Sequence, residues 1–175
     1  MARVPSPDPT AADVEPLVER IVSERGSLLE LYHVLLHAPP VAAGWLEYLT
    51  SIRGASSLPG RIRELVIMRI AHVNRAPYEA REHAPIARRE GLSAEQIEAI
   101  TDWHDSPLFD SRARAALAYA DAMTSAIQVP EDIFNSMRAE FDTRQVVELT
   151  ATIAAYNMVS RFLEALEIRP HDAER

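Results

Sequence analysis

Glutamate and histidine side chains that can exchange protons with a substrate lie close together in the stretch from Glu64 to His83. Glu79 and His83 are four residues apart, so on a helix they share one face and the carboxylate can hydrogen-bond to the imidazole ring. Glu64 lies upstream, on a neighbouring predicted helix. A carboxylate and an imidazole one helical turn apart, with a second carboxylate nearby, indicate general acid–base chemistry.

The two carboxyl groups are expected to differ in their affinity for protons. Glu79 falls in the first turn after Pro77, where unpaired backbone amides and the helix dipole favour a negative charge. Glu64 lies on a strongly apolar helix, where loss of hydration favours the neutral acid. We therefore predict His83 as the main general acid or base, Glu79 as its orienting and charge-stabilising partner, and Glu64 as a second proton-transfer or substrate-positioning group.

A purely structural interpretation of these residues stays open. Glu79 and His83 can form a solvent-exposed pair on a helix surface, which contributes little to stability. Glu64 can form an ion pair with an arginine of its own helix, the candidates being Arg61, Arg63 and Arg69.

Three further residues are weaker candidates for substrate binding. Tyr78 can donate a hydrogen bond to a substrate oxygen, although a tyrosine at such a position more often packs against its neighbours. His72 lies two turns beyond Glu64 on a similar face, and it either lines the same cavity or is a satisfied core histidine. Arg69 is among the nearest arginines in sequence that can neutralise an anionic substrate.

One metal-binding pattern is present but incomplete. Glu30 and His33 form an E-x-x-H sequence of the kind found in di-iron helix bundles. Such a site needs a second E-x-x-H and further carboxylates on facing helices, and the sequence contains no second copy. We therefore predict neither a metal site nor a cofactor.

The composition excludes several classes of function. The 175 residues include no cysteine, so the chain itself cannot supply a disulfide, a thiolate metal ligand or a redox thiol. The net charge of −8 disfavours binding to nucleic acid and to anionic membranes. No apolar run approaches the roughly 20 residues of a membrane-spanning helix, and the N-terminus does not resemble a signal peptide. We expect a soluble, cytoplasmic protein.

Apolar residues recur every three or four positions between proline, glycine and capping residues, which predicts helices throughout the chain. The helix expected at about 62–73 is unusually apolar and should be central and largely buried. Pro77 is expected to begin the next helix. The predicted organisation is a loose arm over residues 1–11, one all-α domain of about eight helices over 12–168, and a tail over 169–175.

A family resemblance rests on two runs, LPGRIRELVIMRIAHVNRAPYEAREHAPIARREGLS and TIAAYNMVSRFLEAL. Both resemble the carboxymuconolactone decarboxylase and alkylhydroperoxidase D-like family, in its branch without cysteine. The peroxidase members carry a Glu, then a Cys-x-x-Cys twelve positions on, then a His. This sequence has Glu64, Ala76, Glu79 and His83 at those places. The resemblance implies an all-α fold that assembles into trimers or hexamers, with the site near a subunit interface.

The function implied is a cofactor-independent enzyme acting on a small organic acid, lactone or cyclic carbonyl compound. The family name implies decarboxylation or a related lyase or isomerase step. Peroxide reduction by thiols is excluded because Ala76 and Glu79 replace the two cysteines. The alternative is a non-catalytic oligomeric binding or scaffold protein that keeps the family site as a ligand pocket.

Overall fold

The structure, a computed structural model, describes residues 2–5 and 7–169, so that Met1, Ser6 and residues 170–175 lie outside the described residues. Within the described ranges the chain is all-α, as predicted, and contains nine helices and no strand. The predicted C-terminal tail falls outside the described residues except for Arg169. The helices are α1 (Glu15–Arg25), α2 (Glu30–Leu35), α3 (Pro39–Gly54), α4 (Gly60–Val73), α5 (Pro77–Arg89), α6 (Ala94–Ala99), α7 (Ser111–Ser125), α8 (Glu131–Glu140) and α9 (Thr143–Ala165).

Backbone contacts divide the chain into two compact units. Of the described residues, one unit comprises 2–5, 7–55 and 163–169, and the other runs from Ser56 to Phe162. The prediction of one domain over residues 12–168 stays a prediction. Every candidate site residue named from the sequence, apart from the discounted E-x-x-H pair, lies in the second unit.

In the first unit, α1 and α2 both pack against α3. Arg25 at the end of α1 donates a hydrogen bond to the hydroxyl of Thr50 on α3 at 2.7 Å, and Thr50 in turn donates to Glu24. Arg3, in the predicted loose arm, donates its backbone amide to the carbonyl of Leu166 at 2.8 Å. These bonds hold α1 against α3 and attach Arg3 to the chain after α9.

In the second unit, α4 packs against both α5 and α7, and α7 packs against α8. Nine of the 14 residues of α4 are buried, which confirms that this apolar helix is central. Glu64 and Arg63 are the charged members of that buried set. A buried charge requires compensating partners, so these two side chains and their neighbours form a candidate functional site.

The corner between α4 and α5 sets how these two helices meet. Arg75 has a left-handed backbone, with φ of 54°. The amide of Ala76 donates a hydrogen bond to the carbonyl of Ala71 at 2.8 Å. The amide of Arg75 donates one to the carbonyl of His72 at 3.1 Å. This pair of bonds is the Schellman ending of a helix, in which glycine usually takes the left-handed position. Pro77 then begins α5, as predicted.

The turn before α4 is tied to α9. The carboxylate of Glu148 accepts hydrogen bonds from the amide of Ser57 at 2.9 Å, from its hydroxyl at 2.7 Å and from the amide of Leu58 at 3.0 Å. α4 is therefore held at its beginning by α9 and at its end by the corner at Arg75. None of the helices in residues 2–5 and 7–169 is long and apolar enough to cross a membrane.

Candidate active site

Glu64 on α4 and His83 on α5 form a buried hydrogen-bonded pair. Nδ1 of His83 lies 2.7 Å from Oε2 of Glu64. The exposed fraction is 0% for Glu64 and 7% for His83. The structure thus brings together two of the three residues predicted as catalytic, and it does so through the packing of α4 on α5.

The carboxyl of Glu64 favours its ionised form, which corrects the expectation that burial keeps it neutral. Burial alone raises the pKa of Glu64. The hydrogen bonds and electrostatic interactions with His83 and Arg63 lower it by more than burial raises it, so the pKa of Glu64 lies below the ordinary value. Nε of Arg63 donates to Oε1 of Glu64 at 3.0 Å. The sequence offered Arg63 as one possible ion-pair partner of Glu64 but not His83, and together the two partners outweigh desolvation.

An ionised Glu64 fixes the tautomer of the neutral His83 ring. A carboxylate can only accept hydrogen bonds, so the proton in the 2.7 Å contact sits on Nδ1. The other ring nitrogen, Nε2, then carries the lone pair. Within the part of the chain that the structure describes, no residue hydrogen-bonds to Nε2. This atom is the one through which His83 can exchange a proton with a bound molecule.

Glu79 has a different partner from the one predicted. Its Oε2 accepts a hydrogen bond from the hydroxyl of Ser160 on α9 at 2.6 Å, and both residues are buried. The carboxylate that holds Nδ1 of His83 is that of Glu64, although Glu79 shares the helix of His83. The hydrogen bond to the ring that the four-residue spacing predicted for Glu79 is therefore made by Glu64 instead.

Two contacts between α5 and α9 set the register of the site. Glu79 pairs with Ser160, and the ring of His83 meets the ring of Tyr156 edge to face at 4.9 Å between centroids. On α5, His83 follows Glu79 by four residues, whereas on α9 its partner Tyr156 precedes Ser160 by four residues. The two helices therefore run in opposite directions here, and each contact sits one helical turn from the other.

Arg63 connects the pair to the end of α5. Its Nη2 donates to Oε1 of Glu90 at 3.1 Å, in addition to the bond from Nε to Glu64. Gly60 makes room for this arrangement, because a Cβ added there would lie 1.7 Å from Oε2 of Glu90. The ionised groups therefore follow one another from Glu90 through Arg63 to Glu64 and then to the ring of His83.

A second polar network fixes α9 beside the corner at the end of α4. Asn157 accepts a hydrogen bond from the side chain of Asn74 at 3.0 Å and donates one to Thr124 of α7 at 3.0 Å. Arg161 donates to the side-chain oxygen of Asn157 at 2.9 Å. Asn157 stands next to Tyr156 in the chain, so this network holds the part of α9 that faces His83.

The three weaker candidates for substrate binding differ in their burial and in their hydrogen bonds. Tyr78 is buried and His72 is exposed. Arg69 donates two hydrogen bonds to the carboxylate of Asp121, at 2.5 and 2.9 Å, and also donates to the carbonyls of Ile100 and Thr101. The guanidinium of Arg69 thus holds α4 to α7, and its hydrogen bonds go to Asp121, Ile100 and Thr101. In residues 2–5 and 7–169 there is no group of three or more His, Cys, Asp or Glu side chains that could hold a metal ion.

Sequence reasoning missed Ser160 and Tyr156 as site residues and named Arg63 only as a structural partner. Ser160 and Tyr156 are spaced four apart on a helix otherwise dominated by apolar residues, and buried polar groups on such a face need partners. That pattern signals a polar contact with another helix. It does not say which helix, because the partner Glu79 is 81 residues away along the chain.

Comparison with known proteins gives a family match over the centre of the chain. The model of the carboxymuconolactone decarboxylase family matches residues 39–122, a range that includes Glu64, Glu79 and His83. The uncharacterized protein YnjA of Escherichia coli is 35% identical over 127 residues, which are 71% of this chain and 66% of YnjA. The match thus spans about two thirds of the length of that relative.

Solved structures match almost the whole chain. An alkylhydroperoxidase AhpD core protein, described as peroxidase-related, from Ralstonia eutropha JMP134 is similar with a TM-score of 0.83 and 19% identity, covering 98% of this chain and 93% of that one. The debrominase Bmp8 is similar with a TM-score of 0.81 and 19% identity, covering 97% and 91%. At these identities the likeness concerns the fold, which is the all-α fold of alkylhydroperoxidase D-like proteins.

Proposed function

We propose that the chain is a cofactor-independent enzyme that catalyses proton transfer; the match of the carboxymuconolactone decarboxylase family model to residues 39–122 and the absence of cysteine support this proposal. The proposed substrate is a small organic acid, lactone or cyclic carbonyl compound, and the reaction is of the lyase or isomerase type. The observation that carries the proposal is the 2.7 Å bond between the buried carboxylate of Glu64 and Nδ1 of His83.

His83 is the proposed general acid or base. Nε2 takes a proton from a carbon next to the substrate carbonyl, or returns one, while Nδ1 stays bonded to Glu64. When Nε2 gains the proton, the ring becomes cationic and the neighbouring carboxylate stabilises that charge. Because both residues are buried, the stabilisation is stronger than it would be in water.

Glu79 is the proposed second carboxylate of the site, with Ser160 as the residue that orients it. Glu79 lies in the first turn of α5, where the backbone amides favour a negative charge. Its carboxylate is one helical turn from the ring of His83, a separation of about 6 Å along the axis. A substrate held by His83 can therefore have a second polar group within reach of Glu79. Tyr78, which is buried next to it, is kept as a proposed hydrogen-bond donor.

Proton exchange into deuterated water tests the proposal whatever the net reaction is. A panel of lactones, keto acids and cyclic ketones is incubated with the protein, and proton NMR follows the loss of the signal next to the carbonyl. At least one compound should exchange faster with the protein than without it. His83→Gln should lower that rate by about 10² to 10⁴-fold, the usual contribution of general acid–base catalysis.

His104→Gln is the matched control, because His104 is an exposed histidine of the same unit and is not a candidate for the site. It should leave the exchange rate unchanged. Exchange that is equally fast in His83→Gln, or absent for every compound of the panel, would contradict the proposal. Circular dichroism shows whether each variant has kept its helical content.

The assembly state separates an enzyme from a binding or scaffold protein. We propose a homo-oligomer, a trimer or a hexamer, on the ground of the family resemblance. His83→Gln and Glu79→Gln in an enzyme should reduce exchange and leave the mass measured by light scattering unchanged. If both variants dissociate into monomers and the unsubstituted protein exchanges nothing, the residues serve assembly instead.

A further inference from the structure

Arg63 joins two carboxylates, one on its own helix α4 and one just past the end of α5. Nε donates to Glu64 at 3.0 Å and Nη2 donates to Glu90 at 3.1 Å. Adjacent residues on a helix do not usually face each other, so the contact of Arg63 with Glu64 is not an ordinary helix-surface pair. Its exposed fraction is 8%. Such a buried, doubly bonded arginine differs from an ordinary surface ion pair.

The charge of Arg63 decides how readily the Glu64–His83 pair takes up a further proton. Glu64 is fully buried, and a buried carboxylate without a countercharge favours the neutral acid. If the pair holds one more proton, either Glu64 is protonated and donates to Nδ1, or the ring is cationic. In both cases Nε2 carries a hydrogen and cannot accept another.

We propose that Arg63 is a positioning residue of the site: by bridging Glu64 and Glu90, it keeps the Glu64 carboxylate as the acceptor of the Nδ1 proton and so leaves Nε2 of His83 free to accept one. The catalytic meaning of this role rests on the proposed function, whereas the effect on His83 does not. Arg63 bonds to Glu64 and Glu90, and the bond to Glu64 connects it to the imidazole.

Few titratable groups of the second unit face the pair. On α4 there is Arg63 itself, and at the end of α5 there is Glu90, which meets the pair only through Arg63. On α9 the ring of Tyr156 packs against His83. Glu79 lies one turn away on α5 and pairs with Ser160. Arg63 is a positive charge in direct contact with Glu64. Its removal should therefore have a large effect on the pH at which Nε2 of His83 loses its proton.

Nitrogen NMR of the histidine rings tests the proposal directly. The protein is labelled with ¹⁵N-histidine, the His83 signals are identified as those missing from His83→Gln, and both ring nitrogens are followed across pH. In the unsubstituted protein the neutral form should carry its proton on Nδ1. In Arg63→Met the inflection at which Nε2 loses its proton should move up by about 1 to 3 pH units, the effect of removing a neighbouring opposite charge.

Two further variants separate charge from folding. Arg63→Lys keeps the charge, so its inflection should lie much closer to that of the unsubstituted protein than that of Arg63→Met. Arg61→Met is the matched control, because Arg61 lies on the same helix and pairs with Asp110 at 3.7 Å instead. If Arg63→Met does not fold, Arg63→Gln removes the same charge and retains hydrogen-bonding groups.

An unchanged inflection in a folded Arg63→Met or Arg63→Gln protein would overturn the proposal, as would an equal shift in Arg61→Met. No substrate is needed for this titration. A failure to find any exchanging compound would therefore leave the role of Arg63 standing, and a failure of the titration would leave the acid–base proposal standing.

Discussion

Glu148→Gln should destabilise the fold, because Glu148 holds the turn before α4. One oxygen of its carboxylate accepts three hydrogen bonds, two from Ser57 and one from Leu58. The other accepts the Nε proton of Arg144 at 2.8 Å. Glutamine has one acceptor oxygen and an amide group that donates, so the variant loses the charge and at least one of these bonds.

The size of the effect follows from the pKa of Glu148. Burial alone raises that pKa. The hydrogen bonds from Ser57 and Arg144 outweigh burial, so the pKa of Glu148 falls from the ordinary 4.5 to about 2. At about 1.4 kcal/mol per pH unit, the change from 4.5 to about 2 corresponds to a ceiling of about 3.5 kcal/mol. The side chains of Glu148 and Arg144 are 18% and 67% exposed. Screening by water reduces the expected loss in the free energy of unfolding to about 1–2 kcal/mol.

The contribution of the Glu148 carboxylate to stability should depend on pH. The pKa of Glu148 is lower in the folded chain than in the unfolded one, so the carboxylate stabilises the fold above the ordinary value of 4.5. This contribution disappears as the pH falls towards about 2. The difference between Glu148→Gln and the unsubstituted protein should therefore be largest near neutral pH and shrink on acidification.

Urea denaturation followed by circular dichroism at several pH values measures this difference. Glu98→Gln is the control, because Glu98 is an exposed glutamate on α6. It should change the free energy of unfolding little at any pH. A Glu148→Gln protein as stable as the unsubstituted one near neutral pH, or a difference that does not change with pH, would refute the reasoning.

Three other substitutions test contacts around the site. Arg75→Gly should raise the free energy of unfolding by about 0.5–1 kcal/mol in a thermal melt, because glycine adopts the left-handed backbone of the corner without strain; a lower melting temperature would refute this. Gly60→Ala should displace the carboxylate of Glu90, which a crystal structure of the variant would show, and an unmoved Glu90 would contradict the expected clash at 1.7 Å. Ser160→Ala removes a bond to the carboxylate of Glu79 and should cost about 1.5–3 kcal/mol in urea denaturation; unchanged stability would show that this bond contributes nothing net.

The helices could be predicted because their signals are local. Pro77 begins α5 and Ser93 caps α6 with Gln96, and both residues act on backbone groups within one turn. The apolar run of α4 likewise reports its own burial. The left-handed backbone at Arg75 could not be foreseen, because the usual residue at such a position is glycine.

The site could be predicted only in part, because its pairings depend on how helices meet. The sequence points to Glu64 and His83, but the spacing of four favours Glu79 as the partner of the ring. The packing of α4 against α5 places Glu64 there instead. The lowered pKa of Glu64 depends on its contacts with His83 and Arg63, and no rule of helix spacing predicts a contact between adjacent residues.

The matched steps of four residues on α5 and α9 limit how this protein can change in length. Inserting or deleting one residue between Glu79 and His83, or between Tyr156 and Ser160, would rotate one of the two contacts by about 100° away from its counterpart. Indels in either four-residue interval should therefore be far less tolerated than substitutions. Engineering of this region has to proceed by exchanging side chains at constant spacing.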